Sequence, residues 1–253
     1  MNKYILISSI FISLFTFAET NIPNVNTSTN LVKTSSEFTY SPGHFRFQLP
    51  YYWEIISDKT LKSYINKLKE IYPGKPTPNY VLAIQRKALY DFTMPYALIE
   101  IDKRPMPTQK EVDAETASFD SNIRRAYVAL YKKGLFGEIN PLPAVYDPVN
   151  KVILGRCSMY RAKDKQYLTT ITAIYPCSYG YVRFHFTFKT EDEEKFFPVI
   201  EKIIKSLKFD NGFEYKPALA KKNKGLLSRP IYVVVLVLAV IWFGFRIFGK
   251  IKK

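Results

Sequence analysis

Residues 183–209 read RFHFTFKTEDEEKFFPVIEKIIKSLKF, and the period of their pattern changes half-way along. Val182, Phe184, Phe186 and Phe188 alternate with Tyr181, Arg183, His185 and Thr187. Period two predicts a strand over 180–188, with its phenylalanines on one face. From Thr190 to Leu207 the apolar positions Phe196, Ile200, Ile203, Ile204 and Leu207 recur at helical spacing instead. The acids Glu191–Glu194 suit a helix N-terminus. Pro198, which cannot donate to an i−4 carbonyl, is expected in the first turn of the packed part. An aromatic strand running straight into an amphipathic helix describes a helix laid on a sheet.

Upstream, Val152–Tyr160 and Gln166–Tyr175 are two more strand-like runs joined to the first by short links, so 152–188 reads as a three-strand meander. Before it, Thr108 with Glu111 three residues on is a capping box. It opens a helix whose face carries Val112, Phe119, Ile123, Ala126, Tyr127 and Leu130. Tyr80–Leu89 and Tyr96–Lys103 are predicted strands across a Met94-Pro95 turn, and Thr60–Tyr72 a helix with Leu61, Tyr64, Ile65, Leu68 and Ile71 inward. Phe45–Leu49 alternates until Pro50, and Trp53–Ile56 resumes a strand. Buried strand faces need helix stripes to cover them. The expected class is therefore α+β, a mainly antiparallel sheet sandwiched by helices over 38–209.

Both ends of the 253-residue chain have a different grammar. Residues 1–18 carry Lys3, an apolar run Tyr4–Phe17 and a small-x-small Thr16-Phe17-Ala18, the layout of a cleavable export signal. Residues 19–37 are a polar, flexible lead-in. Residues 210–229 form a basic juxtamembrane linker, 230–248 an apolar run free of charge from Ile231 to Phe245, and 249–253 a short basic tail. A bilayer core of about 30 Å takes roughly 20 helical residues, which 230–248 supplies as a transmembrane helix. The net charge of +15 follows this layout. Residues 19–210 hold 27 basic and 21 acidic side chains, whereas 211–253 hold nine basic against Glu214 alone. Charge concentrated beside an apolar segment belongs to a membrane flank and not to a nucleic-acid surface. Lys221, Lys222, Lys224 and Arg229 are the candidate contacts to anionic lipid headgroups. Four cations precede the apolar run and four follow it, so charge does not orient it. The export signal does, placing the folded domain outside the cytoplasm and the tail inside. Without that signal the chain reads as a cytosolic tail-anchored protein.

Motifs for catalysis are missing. The sequence holds no G-x-S-x-G, H-E-x-x-H, P-loop or G-x-G-x-x-G, and only two histidines, His44 and His185. No catalytic residue, metal ligand or cofactor is expected. Glu100 and Asp102 share one strand face, with Arg86 expected beside them, and read as a solvated ladder of charge pairs; His185 reads as a strand histidine at a layer boundary. In the 152–175 hairpin Cys157 falls opposite Thr169 or Thr170. Cys177 then lies about 20 Å along at strand rise, too far for a disulfide, so two free thiols are expected. Tyr51, Tyr52 and Trp53 are the candidate protein-contact cluster.

HFRFQLPYYWEI at 44–55, together with the 183–209 stretch, resembles the PsbP-like family. That family takes in the photosystem II extrinsic subunit, Mog proteins and DcrB-type envelope proteins. Its pattern is a strand ending in proline before a tryptophan strand, and an aromatic strand before the last helix. The resemblance covers about 38–209 and implies an α/β/α sandwich acting as a non-enzymatic binding or assembly module through another protein. Metal-binding histidines of some members have no counterpart here. The combined expectation is a single-pass membrane protein of the cell envelope, whose partners are the lipid bilayer and another envelope protein. A small-ligand or lipid receptor is the alternative, marked by a large apolar pocket. An uncharacterised enzyme is the third, marked by an accessible constellation of His185, Arg183 and a carboxylate.

Overall fold

The computed structural model describes residues 35–71, 77–131, 136–162 and 165–217. In chain order, β1 (Ser36–Tyr40), β2 (Phe45–Leu49) and β3 (Trp53–Ile55) precede α1 (Asp58–Ile71). Then β4 (Tyr80–Arg86) and β5 (Tyr96–Lys103) lead into α2 (Gln109–Tyr131). The meander is β6 (Phe136–Asp147), β7 (Val152–Arg161), β8 (Gln166–Cys177) and β9 (Gly180–Lys189). After it come α3 (Glu193–Ser206) and the two-residue β10 (Lys208–Phe209).

Seven strands make one antiparallel sheet in the order β3-β4-β5-β9-β8-β7-β6. Alternation sorts the β9 side chains as expected, but neither face meets solvent. Val182, Phe184, Phe186 and Phe188 join Ile200, Ile203 and Ile204 of α3 in one core. The same core takes Phe45 and Phe47 from a second, three-stranded sheet, β1-β2-β10, laid on that face beside α3. Phe184 makes edge contacts to Phe45, Phe47 and Tyr175 there, with centroids 5.3–6.1 Å apart, the geometry that ring quadrupoles favour. The opposite face is covered by α1 through Leu61, Tyr64 and Leu68, and by α2 through Val112, Phe119 and Ile123. The side chains of Tyr127 and Leu130 lie outside the described set. The fold is thus mixed α/β with antiparallel sheets, and one covering layer is itself part sheet.

Local chemistry explains the element ends. The Thr108 N–H donates to Glu111 Oε2 at 2.7 Å and the Glu111 N–H to Thr108 Oγ1 at 3.3 Å, the reciprocal capping box at the head of α2. The helix begins at Glu193 after a 3-10 turn over Thr190–Asp192, and its first buried residue is Phe196, so Pro198 lies inside the helix but in the first turn of its packed part, as expected. Phe196, buried two residues before the proline, holds the leading turn on the sheet. At the other boundary the domain runs past Phe209. The Ser178 N–H donates to the Phe213 carbonyl at 3.0 Å, Glu214 bridges to Cys177, and Tyr215 is buried. Residues 210–215, read from sequence as linker, therefore pack on the domain. The segments 1–18, 218–229, 230–248 and 249–253, with Lys221, Lys222, Lys224 and Arg229, lie outside the described residues. No described helix is long and apolar enough to cross a membrane.

Candidate functional site

Three places in the fold carry unusual chemistry. The first is buried. On the helix-covered face, Glu100 and Asp102 of β5 stand in register with Arg183 and Tyr181 of β9. The cross-strand neighbour of Glu100 on β4 is Tyr80, whereas Arg86 lies at the far end of that strand opposite Trp53. The expected partnership with Arg86 is thus replaced by one with Arg183. The side chain of Arg183 is only 2% exposed. Its guanidinium reaches Asp102 Oδ2 at 3.0 Å, Glu115 Oε1 of α2 at 3.5 Å and Glu100 Oε1 at 3.6 Å. Arg104 adds contacts to Asp102 at 2.9 Å and Glu115 at 3.9 Å, and its guanidinium sits 4.2 Å over the Tyr181 ring.

His185, fully buried, lies 3.4 Å from Glu100 Oε2 through Nε2 and 3.3 Å from Thr172 Oγ1 through Nδ1. Burial lowers its pKa, against the raising effect of Glu100. Burial likewise raises the pKa of Glu115, against Arg183 and Arg104. For Arg183 burial favours the neutral form, but Glu100, Glu115 and Asp102 together outweigh it and raise its pKa. The ladder expected in solvent is therefore an ionic cluster under α2. The conjunction of His185, Arg183 and a carboxylate exists, but it lines none of the described cavities. It can tie β5, β9 and α2 together; no described opening leads a substrate to it. No group of three or more His, Cys, Asp or Glu suited to a metal occurs among the described residues.

The cysteines keep to the sequence reading. Cys157 pairs with Thr170 across the hairpin, Cys177 with Gly180, and both are free and buried. Burial pushes the Cys157 thiol up to about 12 and the Cys177 thiol up to about 11. Neither is a reactive thiolate near neutral pH.

The second place is the Tyr51-Tyr52-Trp53 segment. Its three rings do not form one exposed cluster. Tyr51 and Tyr52 are 51% and 41% exposed in the turn between β2 and β3, but Trp53 is 2% exposed and packs in the phenylalanine core. The strand alternation that starts at Trp53 turns it inward. What joins the two tyrosines is the loop after β4, which ends at Arg86, so that Lys87–Leu89, expected as the end of a strand, belong to the loop. The Lys87 N–H donates to the Tyr52 carbonyl at 2.8 Å, which ties their turn to the loop carrying Leu89, 90% exposed, and Tyr90, 51% exposed. Lys87 Nζ lies 4.8 Å over the Tyr51 ring. The loop is pinned by Phe92 stacked on Tyr64 at 4.6 Å and by Thr60 donating to Asp91 at 2.7 Å. From there the outer face of α1 continues as Lys59, Lys62, Ser63, Asn66, Lys67 and Glu70, an open groove with three cations to one acid.

The third place is a half-open cleft of about 290 Å³ between the β10 edge and the β6–β7 turn. Arg46, Lys151 and Lys208 rim it, and Tyr175, Pro176, Leu207, Phe209 and Tyr215 supply apolar surface.

Several solved structures share the fold, two of them as follows. The solution structure of cyanobacterial PsbP (CyanoP) from Synechocystis sp. PCC 6803 shares 9% identity at a TM-score of 0.41, covering 74% of this chain and 99% of that one. The crystal structure of the Saccharomyces cerevisiae Ran-binding protein Mog1p shares 9% identity at a TM-score of 0.39, covering 70% and 96%. These are likenesses of fold alone. The first is a PsbP, the family named by the sequence resemblance. No family model matches the chain, and no curated protein matches it.

Proposed function

We propose that the chain is a membrane-anchored, non-enzymatic binding or assembly module of the cell envelope, and that it works by protein contact through Tyr51, Tyr52, Leu89 and Tyr90. The observation that carries this reading is the exposure of four large apolar side chains on two hydrogen-bonded loops at one end of the sheet. Exposed apolar residues scattered singly need no explanation, but a contiguous group on a pinned scaffold marks a contact surface. Tyrosines are among the side chains that dominate such contacts, because they bury much area for little rotamer entropy. Lys87 and the lysine-faced groove of α1 flank the patch, so the partner is a protein with an apolar centre and an acidic rim. The apolar run at 230–248 and the export signal at 1–18 supply the envelope setting.

The test is crosslinking and affinity capture of the tagged full chain from native membranes, beside the variant Tyr51→Ser/Leu89→Ser/Tyr90→Ser. Hot-spot truncations of this kind cost about 2 kcal/mol each, so recovery of a stoichiometric partner is expected to fall by roughly tenfold or more. An unchanged melting temperature shows that the variant still folds. Val149→Ser, at the other end of the sheet, is expected to capture as wild type. Equal recovery with the triple variant rejects the patch. A co-purified small molecule with no protein partner favours the receptor reading instead.

A further inference from the structure

Arg46 and Lys208 are directly opposite across the β2–β10 pair. Like charges at opposed cross-strand positions repel, so the pair calls for a counter-charge. The protein supplies little. Glu37 and Asp210 lie 3.7 Å and 3.8 Å from Arg46, beyond hydrogen-bond distance, and Lys208 makes no ion pair among the described residues. Across the cleft Lys151 sits in the β6–β7 turn with a left-handed φ of 51°, and its Nζ donates to the Tyr215 carbonyl at 3.2 Å. The one acid on the lining, Glu214, accepts the Gly212 N–H at 2.9 Å, stands 4.0 Å from Lys216 and offsets part of the Lys151 charge, leaving a net excess of cations. Between the cations the surface is apolar, from Leu207, Phe209 and Tyr175.

We propose that this cleft binds a small amphiphilic phosphate: the anionic head lies among Arg46, Lys208 and Lys151, and the adjoining apolar group rests on Leu207, Phe209 and Tyr175. A volume of about 290 Å³ holds a headgroup and its first carbons, at the small end of ligand sites. The same chemistry is presented by a lipid headgroup and by a free phosphate ester. Tyr215, on the cleft wall, precedes the basic 217–229 stretch and the apolar 230–248 run in sequence. The site is independent of the tyrosine patch.

The test titrates the full chain, in neutral detergent, with dihexanoyl phosphatidic acid, inorganic phosphate and dihexanoyl phosphatidylcholine, read by calorimetry. Phosphatidic acid is expected to bind saturably with a Kd below about 1 mM, weakened roughly tenfold or more in Arg46→Gln/Lys208→Gln. Lys208 is exposed and the Arg46 side chain half-buried, and an unchanged melting temperature ties the loss to the site. Displacement by inorganic phosphate marks a site for free phosphate esters, and failure to displace marks a lipid headgroup site; either outcome upholds anion recognition. Saturable binding by neither phosphate probe overturns the proposal. So does equal binding of phosphatidylcholine, or equal binding by the double variant. Tyr90→Ser is expected to leave all three titrations unchanged, which separates failure here from failure of the protein-contact reading.

Discussion

Arg183 and Arg104 bring two positive charges to a site where Glu100, Asp102 and Glu115 bring three negative ones, mostly out of reach of water. Burial disfavours the unmatched charge, which is why the Glu115 carboxyl is raised and the His185 imidazole lowered. The two shifts act on stability with opposite slopes. A carboxyl raised in the folded state contributes stability present below its unfolded pKa, about 4.3, and lost as pH rises through the folded value. An imidazole lowered in the folded state contributes stability present above about 6.5 and lost as pH falls toward the folded value. Glu115→Gln keeps an acceptor for Arg183 and removes the excess charge. Denaturation at a series of pH values is expected to show the variant at least as stable as wild type at pH 7, without the loss that wild type undergoes above about pH 4.5. Parallel profiles would clear Glu115 of that role. Arg183→Met, by contrast, leaves buried Glu100 and Glu115 and the partly exposed Asp102 facing one guanidinium, and a loss of about 3–5 kcal/mol is expected in the same assay. Alternation alone put Arg183 and His185 on one face of β9. What it could not show is that α2 covers that face, since polar residues at strand spacing ordinarily meet water. One signal was present: Glu115 falls in step with Val112, Phe119 and Ile123 on the inward stripe of α2. A carboxylate there needs a buried cation.

At the level of elements, helices and strands with strong period were readable, and those shaped by proline or by an edge position were not. β5 runs over Tyr96–Lys103 as its alternation predicts, and β7 to β9 lie within a residue or two of expectation. β6 has no counterpart in the sequence reading; it contains Pro141 and Pro143, which a strand bordering the sheet tolerates and a central one would not. β1, polar and at the edge of the small sheet, was divided, with Ser36 and Glu37 read as lead-in and Phe38–Tyr40 placed in the domain without an assigned element. The small sheet as a covering layer had no sequence signal beyond the alternation of β2. How α2 docks was equally hidden, since it rests on a glycine with nothing periodic about it. A Cβ at Gly155 of β7 would meet the Phe119 ring at 2.1–2.5 Å, so the helix approaches the strand by the width of a missing methyl. Gly155→Ala is expected to cost about 1–3 kcal/mol through overpacking, measured by chemical denaturation. Adding Phe119→Leu, which withdraws the ring, should recover part of that loss, so the double variant is less destabilised than the sum of the singles. Strict additivity would mean that α2 is not seated by this contact.

The main sheet carries different surfaces at its two ends. Tyr51, Tyr52, Leu89 and Tyr90 sit where β3 and β5 begin and β4 finishes; the phosphate cleft and Tyr215 sit where β5 and β8 finish. β5, Tyr96–Lys103, separates those ends by about 23 Å at strand rise. Tyr215 thus lies at the cleft end of the domain, and the tyrosine patch lies at the opposite one. On the membrane-anchored reading proposed above, the compartment of the domain turns on residues 1–18, because the cations flanking 230–248 are balanced. The thiols make that question testable. Cys157 and Cys177 are both buried with raised pKa, so the native chain offers a membrane-impermeant maleimide almost nothing. Val149, 85% exposed in the β6–β7 turn, is a site where a single added thiol reports alone. In intact cells whose outer barrier admits the reagent, Val149→Cys is expected to label fully while wild type stays unlabelled until denatured. Labelling that appears only after the inner membrane is broken would place the domain in the cytosol and leave the tail-anchored topology. Release of the unlabelled full chain by alkali would remove the anchor, and with it the reason for a lipid at the cleft.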